Sequence, residues 1–259
     1  MAALIAIATL RAIRVSPVFP THAGLGFMVI MMNYPMTALP IPITIQTSAE
    51  AGHPLSDFQI KMIQGFAEAM ARHTAVKNLT RIPLEDWDCR HFAESVLMLP
   101  FLHGVDVLDI GCGPGFPSFP LAAVRPDLNV TAIDSNKKML DFLITQATEN
   151  LEVVHGRMED VDWTEMFTTV TGRAVAPLPI QLEISAKACA VGGYVIPFRT
   201  THDVLEGDFV SALGLELEKV ETRELPDGIT RVFPMYKKVK PTPEEFPRQW
   251  AMIKKHPLG

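Results

Sequence analysis

The chain has 259 residues, 48% of them hydrophobic and 20% charged, which is enough apolar material for one sizeable folded domain with appendages. Its 29 acidic residues outnumber 23 basic ones for a formal charge of −6, which excludes a uniformly basic nucleic-acid binder but leaves room for a local basic patch. The three cysteines, Cys89, Cys112 and Cys189, are widely spaced without a Cys-x-x-Cys pair, so neither a zinc site nor a disulfide framework is expected, and a reducing, cytoplasmic setting fits.

The first 49 residues contain Arg11 and Arg14 but no acid, and their apolar runs, 2–10 and 27–32, fall well short of the ~20 residues that span a bilayer. A targeting segment, a structured extension and a non-native extension ahead of an initiator at Met32 or Met36 all fit. The last is adopted: residues 1–54 are expected to be disordered or non-native, with Pro35, Pro40, Pro42 and residues 47–53 as lead-in. Organised pattern starts at Ser56, which with Gln59 reads as a capping box. Phe58, Met62, Ile63, Phe66 and Met70 then recur at helical spacing. A second helix is predicted over 84–99, and together the two form an N-terminal helical cap, 55–103.

From Val105 the grammar changes to strands alternating with helices. An apolar run at 105–110 ends in a glycine-rich turn and leads to a helix through 121–124. Further strands are predicted at 130–133, 151–154, 167–171 and 193–198, with helices at 137–148 and 180–190. Residues 215–222 and 230–237 read as a closing antiparallel pair turned at Pro226-Asp227-Gly228. This alternation implies an α/β domain, 104–240, with a mostly parallel, doubly wound sheet. Residues 241–259 read as a basic, proline-rich arm.

The chemistry-bearing segment runs from Val107 to Phe116. Its strand turns through Gly111, Gly113 and Gly115, where the missing Cβ lets backbone bend tightly and approach a ligand. Ligands of such sheets sit at the carboxyl ends of strands. Asp134 closes the second strand, where its carboxylate can accept both hydroxyls of a ribose. A dinucleotide fingerprint would put its third glycine at position 116, which is Phe116, and Pro117 follows. The Asp-x-Gly-x-Gly-x-Gly form with a later acid instead resembles the motif of methyltransferases that use S-adenosylmethionine, a ligand without phosphate. In that fold the loop after the third strand, here Met158, Glu159 and Asp160, takes the adenine. The (Asp/Asn)-Pro-Pro-Tyr motif of adenine amine methylation is replaced by Ala176-Pro177-Leu178-Pro179. Methylation at a pyrimidine carbon needs a cysteine nucleophile, and Cys189 falls in a predicted helix as a buried structural thiol.

Further segments carry a resemblance over residues 55–258. They are Asn78-Leu79-Thr80, then Arg90-His91-Phe92 with Ser95, and the turn from Gly111 to Pro117 followed by Pro120-Leu121. Asp134-Ser135 with Lys138, His155 to Asp160, Arg173 to Ala176, Gly192-Gly193, Phe246-Pro247-Arg248 and Lys254 to Leu258 complete the set. In this order and spacing the chain resembles the ribosomal RNA small subunit methyltransferase G family, also called glucose-inhibited division protein B. The resemblance implies a Rossmann-like class I S-adenosylmethionine-dependent methyltransferase sheet with an N-terminal helical cap. It implies methyl transfer to N7 of a guanine in 16S ribosomal RNA, with cofactor contacts at Gly111, Phe116, Met158, Glu159 and Arg173. Asn78 and His91 would face the pocket from the cap and join Arg173 as catalytic candidates. Arg199, Arg248, Lys254 and Lys255 are candidates for RNA phosphates. The expected partner is 16S RNA in the small subunit or its assembly intermediate, met by a monomer away from membranes. Three positions depart from the family pattern: Glu94 ahead of Ser95 where aspartate is usual, Thr168 after Phe167, and Arg199 in place of a lysine. A methyltransferase acting on a small molecule or protein, or a non-catalytic ribosome-binding protein that kept the fold, are the competing readings.

Overall fold

The computed structural model describes residues 39–200 and 204–258. The expectations placed on Arg11, Arg14, Met32, Pro35 and Met36 lie outside them. The predicted lead-in over 47–53 gives way to a helix, α1 (Pro42–Glu50), whose first turn is capped from far along the chain. The Asp88 carboxylate accepts from the backbone N–H groups of Ile43 (2.8 Å) and Thr44 (3.0 Å) and from the Thr44 hydroxyl (2.6 Å). The helix buries Thr44, Thr47 and Ser48, so its inner face is small and polar. That explains why no apolar periodicity announces it.

Helix α2 (Asp57–Lys77) begins at the expected capping box, Ser56 with Gln59. Ile63, Phe66 and Met70 are buried along one face, whereas Phe58, counted in the same stripe, is exposed. The predicted helix over 84–99 is broken into pieces. A 3-10 turn at Leu84–Asp86 leads to a π-helical turn at Asp88–Ala93, then α3 (Glu94–Val96) and a second 3-10 turn at Leu99–Phe101. Six residues are too few for periodicity to separate a π from an α turn. Here Asp88 is held by α1, and π turns of this kind concentrate at functional sites.

The sheet follows the sequence reading closely. Its elements are β1 (Asp106–Ile110), α4 (Ser118–Val124), β2 (Asn129–Asp134), α5 (Lys137–Leu143), β3 (Leu151–His155), β4 (Phe167–Arg173) and α6 (Leu178–Ala186). They continue with β5 (Cys189–Phe198), α7 (Asp208–Ala212), β6 (Leu215–Glu224), β7 (Thr230–Lys238) and α8 (Trp250–Lys255). The strand order is β3-β2-β1-β4-β5-β7-β6, and β7 runs antiparallel to both its neighbours. The order reverses between β1 and β4, which marks the ligand crevice of a doubly wound sheet. Successive β1 residues face opposite sides: Val107 joins the apolar layer under α2, α4 and α5, and Leu108 the layer under α6 and α8. The predicted helix over 180–190 stops at Ala186, so Cys189 opens β5 instead of lying on a helix. It remains a buried thiol, pushed up to about 12 by that burial. α5 also ends early, at Leu143, where a short 3-10 turn takes over. The predicted basic arm contains α8, docked through the buried Ile253.

Candidate cofactor and catalytic site

After β1 the chain turns with φ of +68° at Gly111 and +56° at Gly113, a conformation that strains any residue with a Cβ. The N–H groups of Gly111 and Cys112 donate to the Ile133 carbonyl (2.8 and 3.2 Å), locking the turn to β2. Asp134 braces it from the end of that strand: Oδ2 accepts from Gly113 N–H at 2.8 Å and Oδ1 from Asn136 N–H at 2.6 Å. Each oxygen keeps acceptor capacity beyond those bonds. A Cβ on Gly113 would meet nothing within 4 Å, so the turn is open on this side. Gly115 differs: a Cβ there would lie 2.6 Å from Leu143 Cδ1, and its N–H already bonds the Cys112 carbonyl. The absence of a Cβ at Gly115 therefore allows close packing of the turn on α5.

Beneath the turn Asp109 is fully buried, with Oδ2 accepting from Ser118 N–H at 3.0 Å. Burial pushes its carboxyl up to about 7, against the pull of Ser118 and of the Arg173 charge. Met158 is buried in a 3-10 turn after β3, and the Glu159 side chain is 5% exposed, 3.5 Å from Arg157 Nη1. An open glycine turn, an acid with spare lone pairs at the end of β2 and an apolar loop with an acid after β3 fit a nucleoside with a charged amino-acid tail.

The cap closes on Arg173 at the end of β4. Its Nη1 donates to the Arg90 carbonyl at 2.9 Å and lies 3.4 Å from Glu94 Oε1; its Nη2 donates to His91 Nδ1 at 3.0 Å. Because guanidinium only donates, His91 Nδ1 must be the acceptor and Nε2 carries the proton toward Thr80 Oγ1, 2.8 Å away. The imidazole stacks on Phe116 at 4.3 Å and 16°, and the Arg173 guanidinium lies 5.3 Å from the same ring. Burial, then the Arg173 charge, drives the His91 pKa down to about 3. Phe116 is itself 3% exposed, wedged among Phe66, Phe92 and His91. The structure thus gathers His91, Arg173 and Phe116 into one cluster. Asn78 is the left-handed C-cap of α2, its backbone N–H bonded to the Thr74 carbonyl, two residues before the Thr80 that bonds His91.

Two members of the cluster escaped the sequence reading. Glu94, noted there as a departure from a family pattern, is buried and bridges Arg173 to Arg231, 2.7 Å from Oε2. Arg231 lies 137 residues away on β7, and no local signal announces it. Among the proposed RNA contacts, Arg199 is half-buried and donates to the Ala176 carbonyl at 3.2 Å. The Arg248 side chain grips the buried Glu183 carboxylate through Nε (2.8 Å) and Nη2 (2.7 Å) and also reaches the His256 carbonyl (3.0 Å). Lys254 and Lys255 are exposed in the last turn of α8. No helix among the described residues is long and apolar enough to cross a membrane.

A parallel sheet in this order, with the antiparallel β7 inserted and a braced glycine turn at its switch point, defines a Rossmann-like class I S-adenosylmethionine-dependent methyltransferase. A family model described as rRNA small subunit methyltransferase G (GidB) matches residues 59–212. Relatives named ribosomal RNA small subunit methyltransferase G include that of Streptococcus pneumoniae serotype 19F, 33% identical over 231 residues that cover 81% of this chain and 96% of that one. That of Lactobacillus delbrueckii subsp. bulgaricus is 35% identical over 233 residues, 82% of this chain and 97% of its own. The chain belongs to the rRNA small subunit methyltransferase G family. A solved structure of a TehB-like SAM-dependent methyltransferase from Corynebacterium glutamicum overlays in part, with 18% identity and a TM-score of 0.47 over 66% of this chain and 98% of that one.

Proposed function

We propose that this protein transfers the methyl group of S-adenosylmethionine to N7 of a guanine in 16S ribosomal RNA, acting as a monomer on the small subunit or its assembly intermediate, in the compartment that holds them. The observation that carries the reading is the Asp134-braced glycine turn with the His91–Arg173–Phe116 cluster beside it, in a chain whose relatives bear that family's name. Gly111 and Gly113 would offer backbone to the donor, Asp134 its ribose, and Met158 with Glu159 its adenine. When bound, the donor supplies an electrophilic sulfonium methyl.

Guanine N7 presents a lone pair and no proton, so no side chain need act as a general base. His91 suits that chemistry: both ring nitrogens are engaged and it stays neutral, so it holds Arg173 in place and shuttles no proton. The residues around the turn contribute position, which for aligned reactants supplies much of a rate enhancement. Glu94 supplies negative charge near Arg173, and Asp109 adds to it when its carboxyl is ionised. Arg199, Lys254 and Lys255 are offered to RNA phosphates, which makes binding salt-sensitive.

Labelled methyl transfer to small subunits from cells lacking N7 modification tests this, read by N7-specific strand cleavage. One new cleavage site in 16S RNA is expected. No incorporation by protein that binds the donor in calorimetry would discard the RNA substrate in favour of a small molecule or protein. Tight RNA binding without donor binding would favour a non-catalytic ribosome-binding protein.

A further inference from the structure

The C-terminal arm, basic and proline-rich in sequence, is docked onto the α/β domain by named contacts. Arg248 anchors it to Glu183 on α6. Ile253 is fully buried, and Phe246 and Trp250 pack against the same apolar cluster that contains Met158 of the loop after β3. Next to Met158, the Arg157 guanidinium lies 5.3 Å from the centre of the Trp250 ring. The same guanidinium is 3.5 Å from the Glu159 carboxylate, whose side chain is 5% exposed while that of Arg157 is 47% exposed. Arm, cation and carboxylate therefore form one chain of contacts that ends at the adenine loop.

An arginine half in water samples many rotamers, and ordering it has an entropic cost. An aromatic face beneath the guanidinium selects the rotamers in which it stays put, through cation–π attraction and the apolar stem. We propose that Trp250 is a positioning residue for the methyl donor: it fixes Arg157, which in turn orients Glu159 and the Met158–Asp160 turn toward the adenosyl group. The inference rests on the reading of that turn as the adenine loop. It gives the arm a role on the donor side of the site, separate from any contact that Lys254 and Lys255 make with RNA. Without the ring, Arg157 is released to solvent and Glu159 loses its ion-pair partner. The defect then falls on donor binding and leaves the transfer step at saturating donor intact.

The test is calorimetry of the full chain with S-adenosylmethionine and with its demethylated product, S-adenosylhomocysteine. Trp250→Ala is expected to raise Kd for both by roughly 3- to 10-fold. Trp250→Phe, which keeps an aromatic face, recovers most of that loss. Arg157→Ala gives a similar loss, and the double variant loses little more, as a coupled pair requires. In turnover the Trp250→Ala defect appears in KM for the donor, with kcat changed less than about twofold. Wild-type affinity in a Trp250→Ala protein of unchanged circular dichroism, or fully additive losses in the double variant, would overturn the proposal. If Trp250→Ala does not fold, Arg157→Ala decides alone, with wild-type affinity refuting it and weakened binding, restored by Arg157→Lys, supporting it. Failure of the wild-type chain to bind either nucleoside is a different result, which overturns the reading of the site itself.

Discussion

His91 and Arg173 form a pair whose charge state is set by burial. The folded protein keeps the imidazole neutral down to about pH 3, because a charged ring would lose its hydration and face the Arg173 cation. The unfolded chain takes up that proton near the ordinary pKa of 6.5. Between those values the unfolded state binds more protons at this site, so the His91 contribution to stability falls as pH drops from 6.5 toward 3, with a slope approaching about 1.4 kcal/mol per pH unit, while the buried Asp109 carboxyl, raised to about 7, contributes with the opposite sign above pH 3.8. His91→Gln, whose amide oxygen can still accept from Arg173, is expected to remove this acid-side slope. Urea unfolding at pH 4.5 and 7.5 measures it, and an equal pH dependence in both proteins would contradict the assignment. At this scale Arg173 and His91 were legible from their motifs, but their mutual contact was not. Glu94 shows why: whether a carboxylate on a helix faces solvent or two buried arginines depends on what folds over it.

Helices α1 and α2 make the contrast at the level of elements. α2 carries a capping box and apolar residues at helical spacing, signals contained within a few residues of chain. α1 has neither, and its N-terminal N–H groups are satisfied by Asp88, 44 residues beyond Thr44. Removing the buried hydroxyl by Thr44→Val is expected to destabilise the protein by about 1–2 kcal/mol. Asp88→Ala, which removes the cap entirely, should cost more than Thr44→Val. Chemical denaturation checks both; wild-type stability in Asp88→Ala would mean that the Asp88 cap contributes nothing to the fold. The π turn belongs here too, since the same Asp88 that caps α1 starts the segment that grips Arg173.

For the molecule as a whole, the arm's cations divide between Arg248, which the fold pairs with Glu183, and Lys254 and Lys255, which stay exposed. Arg248→Ala would leave the Glu183 carboxylate, whose side chain is 0% exposed, without its guanidinium partner and with only the backbone N–H of residue 248 at 3.0 Å, and is expected to cost about 3 kcal/mol. RNA affinity and its salt dependence should change little in that variant once it is studied below its lowered Tm. Lys254→Ala with Lys255→Ala should do the reverse, leaving Tm near wild type and flattening the salt dependence of RNA binding. An unchanged Tm in Arg248→Ala would show that the Glu183 pairing is dispensable. The basic composition of 241–259 was visible in the sequence, but not which of its cations the fold consumes.

The sequence by itself determined the strand–helix alternation, the glycine turn with Asp134 after it, the capping box and the closing antiparallel pair. Each is written in the pattern of a few neighbouring residues, through backbone conformation, side-chain period or turn chemistry. Tertiary structure alone decided α1, the π turn, the bridge from Arg173 through Glu94 to Arg231, and the seats of Arg248 and Trp250. These join residues from 44 to 137 positions apart. Their strength comes from burying charge and hydrogen-bonding groups together, an energy that exists only once the chain has brought them into contact and removed the water between them.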